Sequence, residues 1–219
     1  MNSPFEVGRS ITESVRFVSN IANECEQLAK LIKEELSKLL LSPEVASRYR
    51  ANGDWSDAYE NDESGWLCTE LAASLPVVIK PKRSTGSYLV FQISLVGYGV
   101  EAVGNAEPLL HVGWWSSPID FDGVQMGFPL ASGTGLILEE GRLFKWGEPG
   151  EETEWCYSLR LTDINNPADV LLNIIRPMKA LLLGSSAAQA LSGTVAVRYE
   201  ELQSVAGQFE ALPRSRLDC

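Results

Sequence analysis

Of 219 residues, 29 are Asp or Glu and 18 are Lys or Arg, giving a net charge of −11 with a single His and four Cys. At about 100–200 residues per domain the chain is one domain with at most an appendage, and a composition of 45% hydrophobic and 21% charged residues is that of an ordinary globular protein. The acid excess argues against a nucleic-acid partner, which needs Lys and Arg opposite phosphates, and one His excludes sites of the HExxH type.

The N-terminus, Met1-Asn2-Ser3-Pro4-Phe5-Glu6, lacks a basic region followed by an apolar run, so no signal peptide is read. No apolar window reaches membrane-spanning length; the stretch 170–183 is broken by Arg176, Pro177 and Lys179. Cys25, Cys68, Cys156 and Cys219 are far apart, with no CxxC pair. Free thiols in a reducing cytoplasm are therefore expected, rather than disulfides or a zinc site.

Ser10-Ile11-Thr12-Glu13 fits a capping box that would open a helix. Apolar or small residues then fall at Ile11, Val15, Val18, Ala22, Cys25, Ala29, Ile32, Leu36 and Leu39, in alternating steps of 4 and 3. That is a heptad seam, which ends where Ser42-Pro43 stops the helix. A helix over 10–41 would be roughly 48 Å long, whereas a compact domain of this size is only about 40 Å across. It must overhang or bend. Ile21, Leu28, Phe17 and Leu31 widen the stripe beyond a strict zipper, which favours packing within the chain over most of its length. An oligomer or partner contact through Val15, Val18, Ala22, Cys25, Ala29, Ile32 and Leu36 is the alternative.

Ser42-Pro43-Glu44-Val45 begins a second short helix. Between Arg50 and Lys80 the chain has six carboxylates and no base. The EF-hand register is absent, so the stretch reads as a solvated acidic loop or a docking surface for a basic partner. Trp55, Asp57, Tyr59, Glu60 and Trp66 would form that surface, since aromatic residues are enriched at contacts.

Beyond Trp66, short runs rich in branched and aromatic residues predict strands over 77–80, 87–96, 109–115, 135–138, 143–146 and 154–161. Glu139-Glu140-Gly141-Arg142 predicts a hairpin turn, and the short links predict a mainly antiparallel sheet. A second Trp-flanked acidic loop, with Trp146, Glu151, Glu152 and Trp155, repeats the theme of the first. Asn166-Pro167 should cap a helix with Leu171, Ile174, Ile175, Met178, Leu181 and Leu182 on its buried face. Pro177 should kink it near Asn173 and Gly184 should end it. A last strand over 194–199 and a loose tail complete the chain.

These elements predict an α+β protein: a long N-terminal helix (1–42) on or projecting from a mainly antiparallel sheet, a body over 43–212 carrying a second, Pro-kinked helix, and a flexible tail over 213–219. Chemistry is weakly signalled. Dinucleotide and P-loop glycine spacings are absent, and no cofactor is expected. His111 lies in a strand pattern without a G-x-S-x-G elbow. Asp120 and Asp122 suggest a metal grip, with Lys145 or His111 assisting, for a metal-dependent hydrolase or nuclease. The favoured expectation is a non-enzymatic, cytoplasmic interaction module, of inhibitor/immunity or assembly type. It would bind a basic protein partner through its acidic, Trp-bearing surface, and the N-terminal helix offers a route to a homo-oligomer.

Overall fold

The computed structural model describes residues 4–83, 86–95, 101–102, 105–127, 130–131, 136–147, 153–201 and 208–212. The fold is α+β: a long N-terminal helix, a mainly antiparallel sheet and a proline-containing helical segment near the C-terminus.

Helix α1 spans Pro4–Leu41 and starts earlier than the capping box predicts. Pro4 suits a first helical turn, and Glu6 lies at the positive end of the helix dipole. Glu13 does not reach back to cap Ser10; it accepts from Arg9 Nε at 2.7 Å, an i,i+4 pair on the exposed surface. Only the second half of α1 packs on the body. Cys25, Ala29, Ile32, Leu36, Leu39 and Leu40 are buried, and fully burying a large apolar side chain contributes roughly 1.5–3 kcal/mol. Val15 is 61% exposed and Val18 40% exposed, so the same seam continues into an uncovered arm.

Helix α2 (Pro43–Ala46) leads into β1 (Tyr49–Ala51), β2 (Ser56–Asn61) and β3 (Cys68–Ile79). The acidic stretch is thus not a loop. Its middle is strand β2, paired with β3 from Ser56↔Ser74 to Glu60↔Glu70, with a bulge at Glu60/Asn61. Strand β3 is also longer than 77–80. Pro76 sits within it because its missing N–H faces the gap between β1 and β2, where its carbonyl accepts from Asn52 N at 2.8 Å.

The sheet continues through β4 (Ser87–Ser94). A small hairpin, β5 (Glu101–Ala102) with β6 (Asn105–Ala106), precedes β7 (Leu109–Trp115). After β8 (Leu130–Ala131) come β9 (Ile137–Glu139), β10 (Leu143–Trp146) and β11 (Glu154–Arg160). The strand order is β1-β3-β4-β7-β11-β10-β9, with β2 beside β3, and every pairing is antiparallel. The β9–β10 turn falls where predicted. Arg142 N donates to Glu139 O at 3.0 Å, Leu143 pairs with Glu139, and Glu140 and Gly141 between them both have positive φ, 53° and 62°.

The C-terminal helical segment runs as α3 (Pro167–Val170), a π-turn (Leu171–Ile175) and α4 (Arg176–Leu182). Asn166 caps it as expected: its side chain accepts from Ala168 N and Asp169 N, and Asp169 reciprocates. The expected disturbance is the π-turn. Pro177 cannot bond the Asn173 carbonyl, and the Tyr157 hydroxyl from β11 lies 3.0 Å from that oxygen and answers it. Gly184 ends the segment, with Gly184 N on Leu181 O at 3.0 Å and Ser185 N on Ala180 O at 2.9 Å. After α5 (Ala187–Ala190), the strand predicted over 194–199 reduces to a bridge between Ala196 and Leu159; β12 (Tyr199–Glu201) then pairs with β13 (Gln208–Ala211).

Helices α1, α3 and α4 cover one sheet face, made by residues such as Leu75, Phe91, Val112 and Tyr157. The opposite face is covered by the segment containing Ile119 and Met126 and by Val197, Tyr199 and Ala211.

Candidate functional site

The β2–β3 hairpin carries the acidic, aromatic surface that the sequence suggests. Its connection is held by one carboxylate. Asp62 Oδ1 accepts from Trp66 N at 2.7 Å and Leu67 N at 2.9 Å, and Oδ2 accepts from Ser64 Oγ at 2.6 Å. The Ser64 bond and these backbone N–H groups hold the Asp62 carboxyl below its ordinary range. Gly65, at φ +73°, takes the left-handed step the loop needs. Trp66 is therefore presented by a fixed turn while its own side chain is 90% exposed. Exposed Glu63 and half-buried Glu60 flank it.

The other residues of this surface have different surroundings. Trp55 packs inward, with Nε1 donating to Ser37 Oγ at 3.0 Å and its ring 5.9 Å from that of Phe91. Asp57 forms an ion pair with Lys33 of α1. Tyr59 is exposed, and partial burial, then Asp57 and Glu26, push its phenol upward.

Trp146 and Trp155, which flank the second acidic stretch, lie away from this surface. Strand register sets Leu109 and Arg160 beside Ser94 and Glu70, at the hairpin-tip end of the sheet. Trp155 pairs with Trp114 at the opposite end, where the β10–β11 connection lies. Trp155 is buried in the core and Trp146 is half-buried against Phe144. Glu151 and Glu152 lie outside the described residues.

Four of the seam residues expected at an oligomer contact, Cys25, Ala29, Ile32 and Leu36, are consumed inside the chain's own core. Val15, Val18 and Ala22 remain exposed.

The residues of the metal-hydrolase alternative are dispersed into separate interactions. Asp120 Oδ1 accepts from Gly123 N at 3.1 Å and Val124 N at 3.0 Å, forming a turn. Asp122 is exposed, and Lys145 pairs with Glu139 at 2.7 Å. Among the described residues no group of three or more His, Cys, Asp or Glu is arranged to hold a metal ion, and no helix is long and apolar enough to cross a membrane.

A second constellation, of which the sequence singles out only His111 as a chemical candidate, lies on the sheet face opposite the helices. Glu70, Gln92, Ser94, His111 and Ser158 project there from β3, β4, β7 and β11, all buried. Glu70 Oε2 accepts from Ser94 Oγ at 2.5 Å and Gln92 Nε2 at 2.9 Å. Gln92 also grips the backbone of Met126, donating to its carbonyl at 3.0 Å and accepting from its N–H at 2.8 Å. Ser74 Oγ accepts from Ile119 N at 3.0 Å. These bonds fasten the covering segment to the sheet. Among the described residues Glu70 Oε1 has no hydrogen-bond partner, and burial pushes the Glu70 carboxyl up to about 7, against its bonds to Ser94 and Gln92.

His111 Nδ1 lies 2.6 Å from Ser158 Oγ. Burial holds the imidazole down to about 3, so it is neutral near pH 7. Burial likewise pushes the Tyr199 phenol upward, against a hydrogen bond with Ser158. A serine nucleophile must meet its substrate, yet Ser158 is fully enclosed between sheet and cover. His111, Ser158 and Tyr199 thus form an uncharged, buried group near pH 7. Beyond His111, the alternation of polar and apolar residues in β4 was the constellation's only sequence signal, and such alternation ordinarily marks a wet face.

Comparison of the chain with protein-family models, with curated proteins and with solved structures finds no match.

Proposed function

We propose that this chain is a non-enzymatic protein-interaction module whose β2–β3 hairpin docks a basic protein. The observation that supports this most is Trp66, 90% exposed on a turn pinned by Asp62. A large aromatic group held in place before binding contributes contact area at little conformational cost. Its surroundings are acidic, with Glu60 and Glu63 adjacent and no Lys or Arg between Arg50 and Lys80. The partner's matching chemistry is an apolar pocket rimmed by Lys or Arg, with encounter accelerated by opposite charge. We place it in the cytoplasm, a compartment in which unpaired Cys25, Cys68 and Cys156 stay reduced.

The test is photo-cross-linking from position 63, with Trp66 intact, in an extract of the source cells, with unlabelled chain as competitor. A specific adduct should form, be suppressed by excess wild-type chain and weaken as salt rises. The Trp66→Ala chain, folded because the side chain supports nothing beneath it, should compete at least about tenfold less well, the equivalent of roughly 1.4 kcal/mol. Equal competition by wild-type and Trp66→Ala chains would overturn the proposal.

A further inference from the structure

We infer that two copies of this chain pair through the exposed first half of α1, with the two arms antiparallel. The segment 4–22 is helical, yet it stands beyond the sheet with Val7, Ile11, Val15 and Val18 all exposed. In proteins most helical stability comes from tertiary burial of an apolar face rather than from helix propensity. The arm carries such a face, and among the described residues nothing of its own chain lies upon it.

The occupant follows from charge and from the position of the sheet. In the heptad running through Ile11, Val15 and Val18, no residue facing a partner helix between Val7 and Ala22 is charged. Glu6, Arg9, Glu13 and Arg16 all fall on the outward side and sum to zero, in a molecule of net charge −11. The arm is therefore a surface that a second copy can approach without like-charge repulsion.

From Cys25 onward the seam is occupied by the chain's own sheet. In a parallel pair, both sheets would lie at the same level on the faces turned toward each other, and they would collide. An antiparallel pair avoids this, because each helix begins where the other's sheet starts to cover the seam. Full overlap of 4–22 centres the two-fold axis on Glu13. That register sets Val15 against Ile11 and Val18 against Gly8 of the second copy. The a positions of one helix then meet the d positions of the other, as antiparallel packing requires. Val7 and Ile21 flank these layers, and Phe17 extends the arc on the same side. The bodies stand apart by roughly the 28 Å of the overlapped helix.

Sedimentation equilibrium and disulfide trapping test the arrangement on the full chain. The wild type should pass with rising concentration from 24.0 kDa toward twice that mass. Val15→Asp with Val18→Asp should weaken self-association by more than about tenfold while leaving the near-UV circular dichroism unchanged. Val15→Ser with Val18→Ser is the milder pair should the first disturb folding. For orientation, a Cys68→Ser, Cys219→Ser background is used. Ile11→Cys chains mixed with Val15→Cys chains should form a mixed disulfide faster than either forms one with itself. A monomer at every concentration, or a dimer indifferent to both substitution pairs, would overturn the inference. Preferential self-linkage at position 11 would overturn the antiparallel arrangement. Dimerisation is read independently of Trp66, so its failure leaves the hairpin proposal standing, and the reverse.

Discussion

The two faces of the sheet are built by alternate residues of the same strands, yet they are closed by different chemistry. Toward the helices, Leu75, Phe91, Val112 and Leu159 interdigitate with Ile32, Leu36, Ile174 and Met178, and fit is a matter of volume. On the opposite face Glu70, Gln92, Ser94, His111 and Ser158 replace much of the hydrocarbon, and individual hydrogen bonds fasten the covering segment. Volume tolerates similar shapes, whereas hydrogen bonds specify one register and leave a costly orphan if one partner is lost. The helical face therefore contributes most of the stability, and the polar face fixes where its cover sits.

Four substitutions, one of them in a double mutant, test this contrast. On the helical face Phe91→Ala should cost about 4 kcal/mol in urea unfolding, nearly independent of pH, because it opens a cavity under α1. A cost below about 1 kcal/mol would mean that the helices are loosely seated. On the polar face the sensitivity should be to pH. Glu70 has a folded pKa of about 7 against an ordinary 4.5, so the folded state holds its proton more tightly. The stabilisation is complete below pH 4.5 and is lost as pH rises through 7, a change on the order of 3 kcal/mol. Glu70→Gln, neutral at every pH, should remove that slope. His111 works in the opposite sense. Its folded pKa near 3 makes the chain lose stability as pH falls below 6.5, so the Glu70 effect is read as the difference between wild type and Glu70→Gln. Matching pH profiles for the two chains would refute it. Tyr157 blurs the contrast, being a buried hydroxyl on the apolar face. Tyr157→Phe should cost about 1–2 kcal/mol by leaving the Asn173 carbonyl unanswered. Adding Pro177→Ala should restore much of it by returning a backbone N–H, and an additive double mutant would show that the two residues are not coupled.

Elements governed by local rules were legible in the sequence. The Asn166-Pro167 cap, the Gly184 stop, the Glu140-Gly141 turn and the disturbance before Pro177 each depend on a few neighbouring residues. Strand β2 was not legible, because Ser56-Asp57-Ala58-Tyr59-Glu60-Asn61 has almost no apolar face. It is a strand because β3 offers it a free edge. The start of α1 was misplaced because Ser10 and Glu13 satisfy a capping pattern that the preceding turns override. The seam itself was plain, but where it stops being internal depends on where the sheet ends, and that is a property of the fold. The polar network was hidden for a similar reason. Nothing within β4 indicates that Met126, 34 residues beyond Gln92, returns to cover it. For the hairpin, the aromatic and acidic composition was visible, while the separation of Trp66 from Trp146 and Trp155 required strand register.

The bulge at Glu60/Asn61 has a consequence for how the molecule behaves at high concentration. A sheet edge is a template on which another strand can grow, and β2 with β1 forms one such edge here. The bulge interrupts the regular ladder at the point where β2 approaches its tip, and Glu60 and Asp62 lie on either side of it. A second copy offering the same edge would bring like charge against like charge over a broken ladder. The carboxylates beside the hairpin tip thus also disfavour growth of the sheet at this one edge by a second copy.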